Sequence, residues 1–335
     1  MIGQSQARQT ASEVAAHYRG RLVLVTGGLG FLGLNLIEHL ARAGARVRVL
    51  HPAWPAFSGH LARLLEGVDC LKGDIRDETA VRHALADCQV VFNFAGRSGA
   101  AASNESPFDD LDVNVRGQLT FLRACGDQAS GIKVVFPSSR LVYAPGAHLP
   151  LPESAPIGPI SMYGIHKLAG ENYHLLFHRL GAVQAVVLRV TNPYGPFQRL
   201  EQNRYGIVNW FIHRALRDMT LEVYGTGEQI RDYVHVDDVM DAFLRAGADP
   251  AANGKVFNVG SGAGVSFRRM AESVISAAGS GRVVMADWPP EDASVETGDF
   301  VADIGHIRRV LGWRPKRQLQ EGIEEVVARY RAFEA

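Results

Sequence analysis

The chain contains a single Y-x-x-x-K pair, Tyr163 and Lys167. On a helix, positions i and i+4 share a face, so this spacing aims a phenol and an ammonium the same way. A tyrosine with a pKa of ~10 is a poor base at neutral pH, and a neighbouring positive charge lowers that value by favouring the phenolate. Such a pair suits hydride transfer, in which a hydroxyl gives up its proton while its carbon gives up a hydride. An oxidised nicotinamide ring would add a second positive charge. Ser139 ends the apolar run I-K-V-V-F-P-S-S, and its hydroxyl can donate to or accept from the reacting oxygen. Ser139, Tyr163 and Lys167 are therefore the catalytic candidates.

Hydride chemistry needs a dinucleotide site, and one pattern offers it. Thr26-Gly27-Gly28-Leu29-Gly30-Phe31-Leu32-Gly33 follows an apolar run and opens a helical pattern. Gly27 permits a tight turn, Gly30 lets backbone amides approach a pyrophosphate, and Gly33 allows close helix–strand packing. A helix N-terminus at that point adds favourable partial positive charge. In a chain with 35 glycines the spacing alone is weak, and the strand–turn–helix setting gives it weight. An acid at the end of the second strand would favour NAD, and a nearby Arg would favour NADP. His51-Pro52 stands there instead, so the choice stays open. His51 either reaches a ribose or caps the strand.

These groups must be positioned by alternating elements. Strands are expected over 21–26, 46–50, 68–73, 89–96, 132–139 and 182–190. Helices are expected over 31–43, near 77–86, near 109–128 and over 161–180. That alternation predicts an α/β fold, a Rossmann-type doubly wound parallel sheet with helices on both faces. Ligands of such sheets bind beyond the carboxyl ends of the strands. Past residue 190 the pattern loosens, with short strands at 221–225 and 255–260. The division expected is a weakly ordered extension over 1–20, a dinucleotide-binding domain over 21–190 to which later segments return, and a smaller mixed α/β substrate lobe over 191–335. The proline-rich stretch 145–159 reads as a stiff rim of the active site.

Composition narrows the partners. With 335 residues, 35 basic and 35 acidic side chains, the net charge is zero. A dominant nucleic-acid role needs a basic surplus that is absent here. No apolar run approaches the ~18 residues of a membrane helix, and the polar N-terminus has no apolar stretch of signal-peptide type. A cytoplasmic location with no membrane partner is expected. Cys70, Cys88 and Cys125 are too few and scattered for a disulfide framework and read as inert thiols. His174 and His178, four apart, lack the H-E-x-x-H pattern, so no metal site is expected.

Eight segments occur in order: T-G-G-x-G-F-L-G, G-D-I-R-D, N-F-A-G, S-S-x-x-V-Y, Y-G-x-x-K, L-R-x-x-N-P-Y-G, R-D-Y-V-H-V-D-D and F-N-V-G-S-G. Together they resemble the extended short-chain dehydrogenases/reductases, in the NAD-dependent nucleotide-sugar epimerase/dehydratase branch typified by UDP-galactose 4-epimerase. The resemblance spans roughly residues 20–333. It implies that Ser139 and Tyr163 contact the sugar 4-oxygen and that Lys167 tunes Tyr163 and holds the nicotinamide ribose. It also implies that Asp74 and Ile75 flank the adenine, that Phe31 and Leu32 present amides to the pyrophosphate, and that Ala95, Gly96 and Asn114 line the cofactor cleft. Asn192 and Arg231 would hold the nucleotide-sugar substrate, with the planar Arg231 fork on its diphosphate. A homodimer joined by a four-helix bundle of the two long helices near 109–128 and 161–180 is implied as well.

Within that branch, dehydratases resemble T-D-E-V-Y after the catalytic hydroxyl, where an Asp and a Glu serve the neighbouring carbons. This chain reads Ser139-Arg140-Leu141-Val142-Tyr143. Neither Arg140 nor Leu141 can abstract a C5 proton, which disfavours 4,6-dehydration. The preferred reading is a nucleotide-sugar 4-epimerase acting on a UDP-hexose or related sugar through a 4-keto intermediate and bound NAD. The alternative is an NAD(P)H-dependent reductase of 4-keto nucleotide sugars. A non-catalytic dinucleotide sensor is less favoured, because all three catalytic groups are present. Relatives often carry R-P-G-D where this chain has Trp288-Pro289-Pro290-Glu291-Asp292, so a second phosphate contact must come from elsewhere, with Arg268 or Arg269 as candidates.

Overall fold

Leu24 in the first strand faces one hydrophobic cluster while its neighbours Val23 and Val25 face another. A strand apolar on both faces belongs in the middle of a sheet covered on both sides. The computed structural model describes residues 9–54, 59–127, 131–198 and 206–334. Its strands are β1 (Leu22–Thr26), β2 (Arg46–His51), β3 (Asp69–Lys72), β4 (Val90–Asn93), β5 (Ile132–Ser139), β6 (Val183–Val190), β7 (Asn192–Tyr194), β8 (Thr220–Tyr224), β9 (Ile230–His235), β10 (Val256–Val259), β11 (Gly264–Ser266) and β12 (Arg282–Ala286). Seven of them form one sheet in the order β10-β6-β5-β4-β1-β2-β3. Every pairing in it is parallel. This is the expected Rossmann-type doubly wound sheet.

The helices Phe31–Arg42 and Val236–Ala248 bury their apolar sides on one face. Glu78–Leu85, Gly117–Gly126 and Met162–Arg179 cover the other. The strand order reverses at β1, between β2 and β4, and opens a crevice at the carboxyl ends of these strands. β10 and the Val236–Ala248 helix return to this layer from beyond residue 190. The second lobe holds the sheets β11-β9-β7 and β12-β8 with its own core, centred on Phe211, Leu221, Met270 and Ile323.

Three local expectations change. Residues 11–18, expected to be weakly ordered, form a helix with a reciprocal Thr10–Glu13 capping box. Val14 and Tyr18 are buried, and the Tyr18 hydroxyl donates to the Leu244 carbonyl at 2.6 Å. The single helix near 109–128 is instead Pro107–Leu111, a π-helical turn over Asp112–Arg116, and Gly117–Gly126. Hydrophobic periodicity does not register one inserted residue, so the π turn left no mark on the pattern. The 145–159 stretch does not line the cleft. Leu151 bridges to Ala302 and packs with Val142, Tyr143 and Phe300, so this stretch ties the two lobes together.

The N-terminal helix thereby becomes part of the core. Tyr18→Ala is expected to cost about 3–5 kcal/mol, the usual penalty for deleting a buried aromatic, and denaturant titration against the wild type measures it.

Candidate active site

One cavity of about 1920 Å³ runs along the carboxyl edge of the sheet into the second lobe. It is lined by Gly27, Gly30, Phe31, Leu32, Gly33, His51, Asp74, Ile75, Ala95, Gly96, Ser139, Tyr163, Lys167, Asn192 and Arg231. The structure thus gathers nearly all the predicted site residues, spread over two hundred positions, around one space.

The glycine turn is a cradle in which side chains do not fit. Gly27 has φ +65°, and a Cβ there would lie 2.8 Å from the Phe94 and Ala95 backbone. A Cβ on Gly33 would lie 2.4 Å from the Gly28 carbonyl oxygen. The Phe31–Arg42 helix starts at Gly30 with no side-chain cap, which leaves its first amides to the cavity. Thr26 Oγ1 donates to Asn93 at 2.7 Å and accepts from the Ala95 amide at 3.1 Å, fixing the loop after β4. At the end of β2, His51 stands in place of an acid and lines the cavity. Arg76 grips both oxygens of Asp74 at 2.9 and 2.8 Å and holds that carboxyl below its ordinary range. A pyrophosphate-binding helix start and a side-chain-free turn fit NAD.

Two strands along from β1, Ser139 terminates β5 and its Oγ accepts from the Leu141 amide at 3.2 Å. The Tyr163 helix begins beside it. Ser161 caps that helix through the Gly164 amide, and Ser103 Oγ accepts from the Tyr163 amide at 2.9 Å. Gly164 makes the approach possible, since a Cβ there would sit 2.4 Å from the Leu141 carbonyl. Lys167 Nζ, buried one turn on, donates to the Pro137 carbonyl at 2.8 Å and lies 5.8 Å from the Tyr163 ring centre. Burial pulls this ammonium down to about 8, against the pull of Asp110 and Glu171.

The expectation that Lys167 depresses the Tyr163 phenol does not hold for the protein by itself. Burial pushes Tyr163 well above its usual range, a Ser139 hydrogen bond opposes that, and Asp110 adds to it. Desolvation penalises the phenolate more than the Ser139 hydrogen bond relieves it.

Asn114 is also corrected. It does not line the cavity. From the π turn its side chain accepts from the Arg97 amide at 3.1 Å, and donates to the Arg97 carbonyl at 3.0 Å and to Asp110 at 3.0 Å. It braces the loop after β4 from behind. Asp110 in turn pairs with His166 at 2.6 Å, both buried.

In the second lobe, Arg231 and Asp232 do not pair with each other. Arg231 meets Glu296 and the carbonyls of Ile230 and Gly298. Asp232 accepts from the Ser261, Gly262 and Ala302 amides. Asn192 donates to the Asp232 carbonyl at 3.0 Å and accepts from Arg140 at 3.3 Å. Arg268 and Arg269 do not line the cavity, and Arg268 pairs with Glu272. Arg140, Arg214 and Tyr233 do line it. Tyr233 stands inside R-D-Y-V-H-V-D-D and Arg140 inside S-S-x-x-V-Y, so both were visible as positions but not as ligand groups. Arg214 had no signal, lying on an ordinary amphipathic helix. Ser138 Oγ, Thr191 Oγ1 and the Tyr233 hydroxyl are buried without a partner among the described residues, and all three residues border the cavity. Polar atoms left in this state suit a polyhydroxylated ligand.

His174 lies in the core, stacked on Phe136 at 4.2 Å with its ring nitrogens on Gly170 and Asn93, and His178 meets the Val183 carbonyl. Among the described residues no group of three His, Cys, Asp or Glu could hold a metal ion, and no helix is long and apolar enough to cross a membrane.

The sequence model of the NAD-dependent epimerase/dehydratase family matches residues 23–260. A UDP-glucose 4-epimerase of Mycolicibacterium smegmatis is 34% identical over 317 residues, covering 92% of this chain and 98% of the relative. The crystal structure of a Thermotoga maritima UDP-glucose 4-epimerase with UDP-glucose superposes with a TM-score of 0.85 at 30% identity, over 94% of this chain and 100% of that one. The Thermus thermophilus UDP-glucose 4-epimerase in complex with NAD gives 0.83 at 31% identity, over 92% and 99%. With the glycine cradle, the serine–tyrosine–lysine cluster and these matches in hand, the chain belongs to the NAD-dependent epimerase/dehydratase family and is an enzyme that uses NAD.

Proposed function

We propose that this enzyme is a nucleotide-sugar 4-epimerase acting on a UDP-hexose or a related sugar through a transient 4-keto intermediate. The observation that carries this reading is the pairing of Ser139, Tyr163 and Lys167 with Arg140 and Leu141. A full set for redox chemistry at one carbon adjoins two positions that offer no base for the next carbon. Likeness to UDP-glucose 4-epimerases over nearly the whole chain supports it.

Bound NAD would supply a positively charged ring able to exchange a hydride with C4, and its charge would favour the Tyr163 phenolate. Tyr163, held neutral by burial in the protein alone and drawn towards the phenolate by that added charge, takes the 4-hydroxyl proton and later gives it back. Ser139 holds the reacting oxygen. Lys167, fixed on the Pro137 carbonyl, keeps positive charge beside the phenol. Gly27, Gly30, Phe31, Leu32 and Gly33 hold the pyrophosphate, Asp74, Ile75 and His51 the adenosine end, and Ala95 and Gly96 the middle. Asn192 and Arg231 hold the nucleotide sugar. His51 in place of an acid favours a second reading, a 4-keto-sugar reductase fed with NADPH.

We also infer a homodimer through a four-helix bundle. Phe108, Leu111, Ile165 and Leu180 are 81%, 40%, 46% and 71% exposed on the helices expected to pair, and such a stripe gains by being covered. The free cysteines suit a reducing compartment, and we place the protein in the cytoplasm.

Purified protein incubated with UDP-glucose and no added cofactor should form UDP-galactose, and should release NAD on denaturation. Turnover only after NADPH and a 4-keto sugar are supplied would overturn epimerisation in favour of the reductase. Tyr163→Phe should lower kcat by about 10²–10⁴-fold, the usual range for a lost acid/base, with NAD still retained. Burial draws Lys167 down to about 8, so its charge is lost as pH rises through that value. Because the charged form is the useful one, kcat/KM should fall as pH rises through that value, and a pH–rate profile measures this. Ile165→Glu should convert a dimer into a monomer by light scattering.

A further inference from the structure

Arg140 follows Ser139 directly, so its backbone is fixed beside the reacting oxygen, and its side chain lines the cavity. Its hydrogen bonds go to neutral groups, from Nε to Asn192 Oδ1 at 3.3 Å and from the guanidinium to Thr297 Oγ1 at 2.8 Å. The guanidinium also rests on the Phe300 ring, 5.5 Å from its centre. Among the described residues no carboxylate forms an ion pair with it. Arg231, its neighbour in the same cavity, is paired with Glu296. Burial and the Arg231 charge pull Arg140 down to about 10, the mark of a cation kept with too little counter-charge. Both guanidiniums act on the Tyr233 phenol, whose buried hydroxyl has no partner among the described residues.

A half-buried guanidinium, drawn partly out of water at a cavity wall, gains from an anion that meets it. A neutral hexose offers only hydroxyls at this end of the site. A carboxylate on the sugar would offer two oxygens to a planar fork and an acceptor for the Tyr233 hydroxyl. The carbon next to the one that reacts at Ser139 is the place from which such a group would reach Arg140.

We propose that Arg140, assisted by Tyr233, selects a nucleotide sugar whose sugar carries a carboxylate, a nucleoside-diphospho-uronic acid. The proposal rests on the epimerase reading for the position of the sugar. The other anion within the substrate is its diphosphate, which neutral and acidic nucleotide sugars share, so comparison of the two kinds separates the sources. Oxidation at C4 would place a ketone β to that carboxylate; loss of carbon dioxide would need the carboxylate lone pair to form a second C=O while the C5–C6 bonding pair passes into the ketone, and the ion pair with Arg140 would oppose this by holding the carboxylate charge in place.

The test compares UDP-glucuronate with UDP-glucose on the holoenzyme, by calorimetric titration and by kcat/KM. Wild type should bind and convert the uronate at least tenfold better and release no carbon dioxide. Arg140→Gln should reduce the uronate-to-hexose ratio at least tenfold, and Arg140→Lys should restore part of it. Equal losses for both sugars would assign Arg140 to the diphosphate and overturn the proposal, as would a wild-type preference for UDP-glucose or no binding of the uronate. If Arg140→Gln does not fold, Tyr233→Phe takes its place and should lower the same ratio severalfold. Selective uronate binding without epimerisation of either sugar would sustain this inference and sink the epimerase reading. Epimerisation of UDP-glucose with no uronate preference would do the reverse.

Discussion

The site depends on keeping one ammonium charged inside the protein. Lys167 is buried, and its position is set by the carbonyl of Pro137 and the ring of Phe136, both in β5. That contact joins the end of a central strand to the helix that bears Tyr163. A buried amine is costly, and here the opposing charges are Asp110 and Glu171, each itself tied to a cation or an imidazole. Glu171 is gripped by both arms of Arg189 and Asp110 by His166 and Asn114. The cluster is therefore pre-arranged before substrate arrives, which is how an active site avoids reorganisation during reaction.

Close backbone approach does the remaining positioning. Gly33 lets the Phe31–Arg42 helix touch the turn that follows β1, and Gly164 lets the Tyr163 helix touch the turn that follows β5. In both places a single methyl group would push a functional element away from its partner. Both contacts border the one cavity, the first through Gly33 and the second through Leu141. The distance between the glycine turn and the Ser139–Tyr163 pair is thus set by the sheet, through strands whose register is fixed over β1, β4 and β5.

The polar wiring behind the cavity extends this logic. Asn114 stands in a π turn, where one extra residue rotates its amide towards both the Arg97 backbone and Asp110. It links the loop after β4 to the carboxylate that faces Lys167. In the second lobe Asp232 is held by three backbone amides, which leaves Arg231 to meet Glu296 at the cavity. The 145–159 stretch clamps the lobes behind this arrangement rather than lining the opening.

Much of the architecture was legible in the residues themselves. Strand–helix alternation, Gly27-x-x-Gly30-x-x-Gly33 and the i, i+4 spacing of Tyr163 and Lys167 are local patterns, and local patterns survive into the fold because backbone geometry dictates them. What required the tertiary structure were quantities summed over distant neighbours. The Tyr163 phenol lies high because of burial, which no spacing records. Asn114 supports the loop from behind because of a π turn, and the N-terminal helix is ordered because Tyr18 finds the Leu244 carbonyl more than two hundred residues away. Arg140 was read only as a group unable to act as a base. Its place beside Arg231 and the unpartnered Tyr233 hydroxyl follows from the packing of two lobes, where solvation and charge depend on what the whole chain brings near.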